Sequence, residues 1–74
     1  MVSSAHIRAA RGLLHWTIRD LAEKSGVHRN TITRMENDAE VHGPTMAAIV
    51  RAFEEAGVEF LNDGEPGVRL RNPT

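Results

Sequence analysis

The chain contains no cysteine, few aromatic residues (one Trp, two Phe) and only three prolines. Without thiols it can build neither a disulfide framework nor a thiolate zinc site, and this fits a reducing compartment. No apolar run approaches the ~20 residues needed to span a bilayer, and no signal-peptide pattern opens the chain, so a cytoplasmic location with no membrane partner is expected. The four histidines, at positions 6, 15, 28 and 42, lack the spacing and companions of a metal site. No carboxylate pair or nucleophile–base set belongs to a plausible pocket, so neither an enzyme nor a cofactor is expected. Repeats and low-complexity tracts are also missing.

What is present is one small domain's worth of chain: 74 residues, 41% of them hydrophobic. A domain this size buries only ~60% of its unfolded-chain surface, so its stability is thin unless it dimerises. The net charge of −1 hides a polarity along the sequence. Residues 1–37 carry six cations against three carboxylates, a balance of +3; residues 38–74 carry three against seven, a balance of −4. Such asymmetry suits one face for a polyanion and another for something else.

Helix signals recur at short intervals. The first helix is predicted from about Ser4 to Leu14, capped by Ser3 or Ser4, with Ile7, Ala10, Leu13 and Leu14 on one face. Thr17 opens the second with "TIRD", a capping box in form, and Ile18, Leu21 and Ala22 make its buried stripe. Gly26 ends it where a positive φ is needed. The third runs from near His28 to about Asn37, with Ile32 and Met35 inward and Arg29, Asn30, Thr33 and Arg34 outward. "GPT" starts a fourth, in which Met46, Ile49, Val50 and Phe53 keep helical spacing up to Gly57. Trp16 is read as a core residue between the first two helices.

The period then changes. "VEFL" and "VRLR" flank "NDGEPG", which predicts a hairpin of Val58–Leu61 and Val68–Arg71. An isolated hairpin is marginal in water, so this one either covers the core or serves as a dimer interface by strand addition, the favoured alternative. Val58, Phe60, Val68 and Leu70 are the candidate dimerisation residues.

Two short helices joined by a tight glycine turn, the second polar outside and apolar inside, make a helix-turn-helix. A helix fits the major groove of duplex DNA, where base edges offer distinguishable donor and acceptor patterns. The polar outer face of "SGVHRNTITRMEND" has the chemistry for such neighbours.

"LAEKSGVHRNTITRMEN" resembles the Cro/C1-type (XRE) helix-turn-helix family of bacterial and phage regulators, whose pattern is roughly L-A-x-x-x-G-V-S-x-x-T-I-S-R-I-E-N-G. The likeness runs from Ile7 through Phe53, and the opening "HIRAARGLLHWTI" and tail "GVEFLNDGEPGVRLR" are similar to those of short members. The resemblance implies a mainly α fold, a four- to five-helix lambda-repressor-like DNA-binding domain with a C-terminal β-hairpin. Residues 1–57 would hold the helix-turn-helix (about 17–37), and residues 58–74 the hairpin and tail.

Position by position, the resemblance assigns base contact to Arg29, Asn30, Thr33 and Arg34, and backbone contact to Thr17, Arg19, Lys24, His28 and Asn37. Arg11 and Glu36 fall where the family places an internal salt bridge. The expected partners are double-stranded DNA and a second copy of the chain. The alternative is a protein-interaction module, such as an antitoxin that holds a toxin through the acidic C-terminal half. The chain also departs from the pattern: Ile18 replaces a glutamine, His15 and Asp38 replace glycines, His28 replaces the capping serine, and the loop 39–42 is not basic.

Overall fold

The computed structural model describes residues 3–37, 43–61 and 67–71. Within them lie four helices, α1 (Ser4–Leu14), α2 (Ile18–Ser25), α3 (Arg29–Glu36) and α4 (Gly43–Glu55), followed by strands β1 (Val58–Leu61) and β2 (Gly67–Leu70). This is the mainly helical fold with a C-terminal hairpin expected from the sequence. Asp38 and the loop 39–42 lie outside the described residues.

The helix boundaries follow from local hydrogen bonding. α1 starts at Ser3, whose backbone N–H donates to Nδ1 of His6 at 3.0 Å; the imidazole takes the place a glutamate or glutamine holds in a capping box. α1 ends in a Schellman turn: Trp16 N–H reaches the Arg11 carbonyl and His15 N–H the Gly12 carbonyl. His15 takes φ 57°, the left-handed conformation that favours glycine. Thr17 then caps α2 reciprocally with Asp20, at 3.0 Å and 2.9 Å. Gly26, at φ 76°, closes α2 by donating to the Ala22 carbonyl. Ser25 bridges the turn that follows, donating to the Leu21 carbonyl and accepting from Val27 N–H.

These turns bring four apolar stripes together. Ile7, Ala10, Leu21, Ile32, Met35, Ile49, Ala52, Phe53 and Val58 form one buried cluster. α2 packs on α3 and α4, α1 on α3 and β2, and α4 carries β1. Trp16 packs against the core, as the sequence reading expects. Beyond the left-handed turn at His15, its ring stacks on Phe53 of α4, centroids 5.6 Å apart and planes 21° apart.

The hairpin is antiparallel, pairing Val58 with Leu70, Glu59 with Arg69, Phe60 with Val68 and Leu61 with Gly67. β2 therefore begins one residue earlier than expected, and Arg71 lies just past its end, its N–H on the Gly57 carbonyl. Directly paired residues share a face, so the four candidate dimerisation residues point the same way, toward the chain's own helices. Val58 is fully buried, Phe60 and Val68 pack against the core, and only Leu70 is exposed, at 45%. Val58, Phe60 and Val68 thus contribute to their own domain's core, while strand addition by a second copy would draw on the hairpin's backbone edge.

Candidate nucleic-acid interface

α3 is eight residues with two unlike faces. Ile32, Met35 and Glu36 are buried, while Arg29, Asn30, Thr33 and Arg34 are exposed. At about 100° per residue the second set lies together on the side away from the core. Within the described residues the side chains of Arg29, Asn30 and Arg34 make no hydrogen bond or ion pair, so their donors are free for an outside partner.

The N-terminus of α3 is capped by a histidine. His28 Nδ1 accepts from Asn30 N–H at 3.0 Å. In the neutral ring the proton is then on Nε2, a donor directed away from the bond it has just made. Arg19, Glu23, His28 and Arg29 line one shallow groove between α2 and α3 with Ala22. Thr17 stays exposed, and its hydroxyl accepts from Asp20, leaving the hydroxyl hydrogen to donate. The Thr17 N–H itself donates to the Asp20 carboxylate.

At the other end, Asn37 is exposed and gives one amide hydrogen to the Thr33 carbonyl at 3.0 Å. Its side-chain carbonyl oxygen and second amide hydrogen have no partner among the described residues. Lys24 does not join this surface. It follows Arg19 by five residues, about 140° around the helix, and lines a groove toward α4 with Ser25, Ala48, Arg51, Ala52 and Glu55.

The orientation of α3 is fixed from behind by α1. Arg11 donates to Glu36 through Nε at 2.6 Å and Nη2 at 2.9 Å, a two-pronged ion pair with Glu36 only 8% exposed. Its Nη1 donates to the Trp16 carbonyl at 3.0 Å, so one guanidinium ties α1, the start of α2 and the end of α3. The hydrogen bond to Glu36 lifts the Arg11 pKa above its ordinary value despite the opposing desolvation, with the carboxylate's charge adding to the rise. A raised basic pKa gives stability that is complete below the unfolded value, so this contribution is constant through neutral pH and lost only in strong alkali.

Sequence reasoning missed Arg8, which donates to the backbone carbonyl of Glu36. Its one signal was its place one turn before Arg11, on the same side of α1. His6 was also missed as a cap; it is buried beside Phe60, ring centroids 6.1 Å apart. Among the described residues no group of three or more His, Cys, Asp or Glu could hold a metal ion, and no helix is long and apolar enough to cross a membrane.

A capped helix, a glycine turn and a second helix with free polar side chains outside and a locked inner face define a helix-turn-helix DNA-binding domain. A helix-turn-helix family model matches residues 7–60, and the chain belongs to the Cro/C1-type (XRE) helix-turn-helix family of DNA-binding transcription regulators. No match to a curated protein is found.

Proposed function

We propose that the protein is a sequence-specific repressor or autoregulator that binds double-stranded DNA as a homodimer, with α3 as the recognition helix. The observation that carries this reading is the exposed set Arg29, Asn30, Thr33 and Arg34 on a helix held rigidly from behind. Arginine can fork to guanine O6 and N7, and asparagine can pair with adenine N6 and N7. Thr17, Arg19, His28 and Asn37 flank that set and would set its depth and register by touching phosphates. Two copies would place their recognition helices in successive major grooves, half-sites about 34 Å apart, and cover a promoter against polymerase.

Arg29→Ala and Arg34→Ala are each expected to weaken specific binding by about 1–3 kcal/mol and to relax preference at one base pair. Binding titrations against single-position variants of a bound duplex would measure both effects. Unchanged affinity in both variants would show that the recognition face is misassigned.

A second reading is favoured by the other half of the sequence. The C-terminal half carries the balance of −4, and the hairpin ends in the exposed Leu70. An antitoxin-like role, holding a basic protein partner there, is compatible with DNA binding by α3. Substitution separates the two activities on one protein: Arg29→Ala should weaken DNA binding and leave DNA-independent capture of a partner as in the parent, whereas salt weakens both charge-driven contacts.

A further inference from the structure

Among the described residues, no left-handed residue closes the C-terminus of α3 as one closes α2. α2 ends on Gly26 at φ 76°, but the residue after α3, Asn37, sits at φ −106°, outside the left-handed region. The Asn37 N–H reaches the Arg34 and Met35 carbonyls, and side chains bring donors to two other carbonyls of this end. Two supply them: Asn37 donates to the Thr33 carbonyl, and Arg8 crosses from α1 to the Glu36 carbonyl. The second spans 28 positions in sequence and brings a full positive charge to the negative end of the helix dipole.

Arg8 and Arg11 thus grip the same residue from one side of α1. Arg11 takes the Glu36 carboxylate and Arg8 its main chain. The carboxylate bond reaches the helix through the Glu36 side chain; the bond to the backbone acts on the helix end directly. Arg34, one of the base-reading candidates, lies in that last turn, and its carbonyl accepts from Asn37 N–H at 3.1 Å.

We propose that Arg8 is a positioning residue for DNA recognition, setting the C-terminal end of α3, and with it Arg34, at the angle that base contact requires. The proposal rests on the reading of α3 as the recognition helix. It separates Arg8 from a phosphate contact, because phosphate contacts contribute to all duplexes alike, whereas helix placement matters where bases are read.

The test compares the parent with Arg8→Ala and Arg8→Lys on a duplex selected by the parent and on a random duplex, over a salt series, with thermal midpoints measured alongside. Arg8→Ala is expected to lower affinity for the selected duplex by about tenfold, as for one lost bidentate base contact. Affinity for the random duplex and the slope against salt should stay as in the parent, at a temperature where both proteins are folded. Arg8→Lys keeps a donor and a charge and should recover part of the preference. Equal losses on both duplexes with a shallower salt slope would make Arg8 a phosphate contact and overturn the proposal, as would parent-like preference in Arg8→Ala.

Amide exchange in the free protein gives a readout that needs no DNA. The amides of Met35, Glu36 and Asn37 should exchange faster in Arg8→Ala by about tenfold, with those of α2 unchanged, as expected for opening of one local unit. If the parent prefers no duplex, the recognition reading fails. Unchanged exchange at those three amides overturns the Arg8 proposal separately.

Discussion

Phe53→Ala is expected to remove most of the stability of the domain. The side chain is fully buried, stacks on Trp16 and meets Phe60 edge to face with centroids 6.1 Å apart. Truncating a buried phenylalanine costs about 3–5 kcal/mol from lost transfer and the cavity left behind. At roughly 0.05–0.15 kcal/mol per residue, a chain this short holds only about 4–11 kcal/mol in total. The expected result in a urea titration is a variant with little or no folded baseline, read from the fluorescence of Trp16, the single tryptophan. Leu70→Ala, at an exposed position, should shift the midpoint only slightly. A Phe53→Ala midpoint close to the parent's would mean that the aromatic cluster is not the centre of the core.

The second large effect concerns the Arg11–Glu36 pair. Removing Arg11 leaves a carboxylate that is 8% exposed without its partner, and also frees the Trp16 carbonyl. Breaking a buried pair in this way costs about 3–5 kcal/mol, because the remaining charge is desolvated and unpaired. Arg11 is itself 23% exposed, so the lower end of that range is expected for Arg11→Ala. In a domain of this length that is a fall in Tm of more than about 10 °C. The double variant Arg11→Met with Glu36→Leu should recover much of the loss, since no charge is then stranded. Arg51→Ala serves as the contrast: its pair with Glu55 is 3.4 Å long and open to solvent on both sides, worth about 0–1 kcal/mol. If Arg11→Ala melts like Arg51→Ala, the pair does not hold α3 to α1.

The two predictions separate what the sequence made legible from what it did not. Helix limits were legible because their causes are local. Thr17 and Asp20 stand three apart, Gly26 follows its helix, and Ile49 and Phe53 repeat at helical spacing. The outer face of α3 was legible for the same reason. Contacts between distant residues were not. The bond from Arg8 to Glu36 and the stacking of Trp16 on Phe53 depend on how α1, α3 and α4 are placed, and no short motif records that. Arg11 and Glu36 stood out only through family resemblance.

The hairpin marks the limit of pattern reading most clearly. Alternation located both strands within a residue, yet could not say whether their apolar face met a second copy or the chain's own helices. Val58 joins the chain's own core, buried with Ile49 and Phe53 in one cluster. Lys24 shows a different limit. Summed charge placed it with the cations of the first half, but the turn of α2 carries it toward α4 and away from Arg19.

The central claim is that the exposed side chains of α3 read base edges in a two-fold site. Selection of bound duplexes from a randomised DNA pool at moderate salt tests it most directly. The expected result is an enriched palindrome with half-sites one helical turn, about 34 Å, apart. A pool that emerges as random as it entered would contradict it.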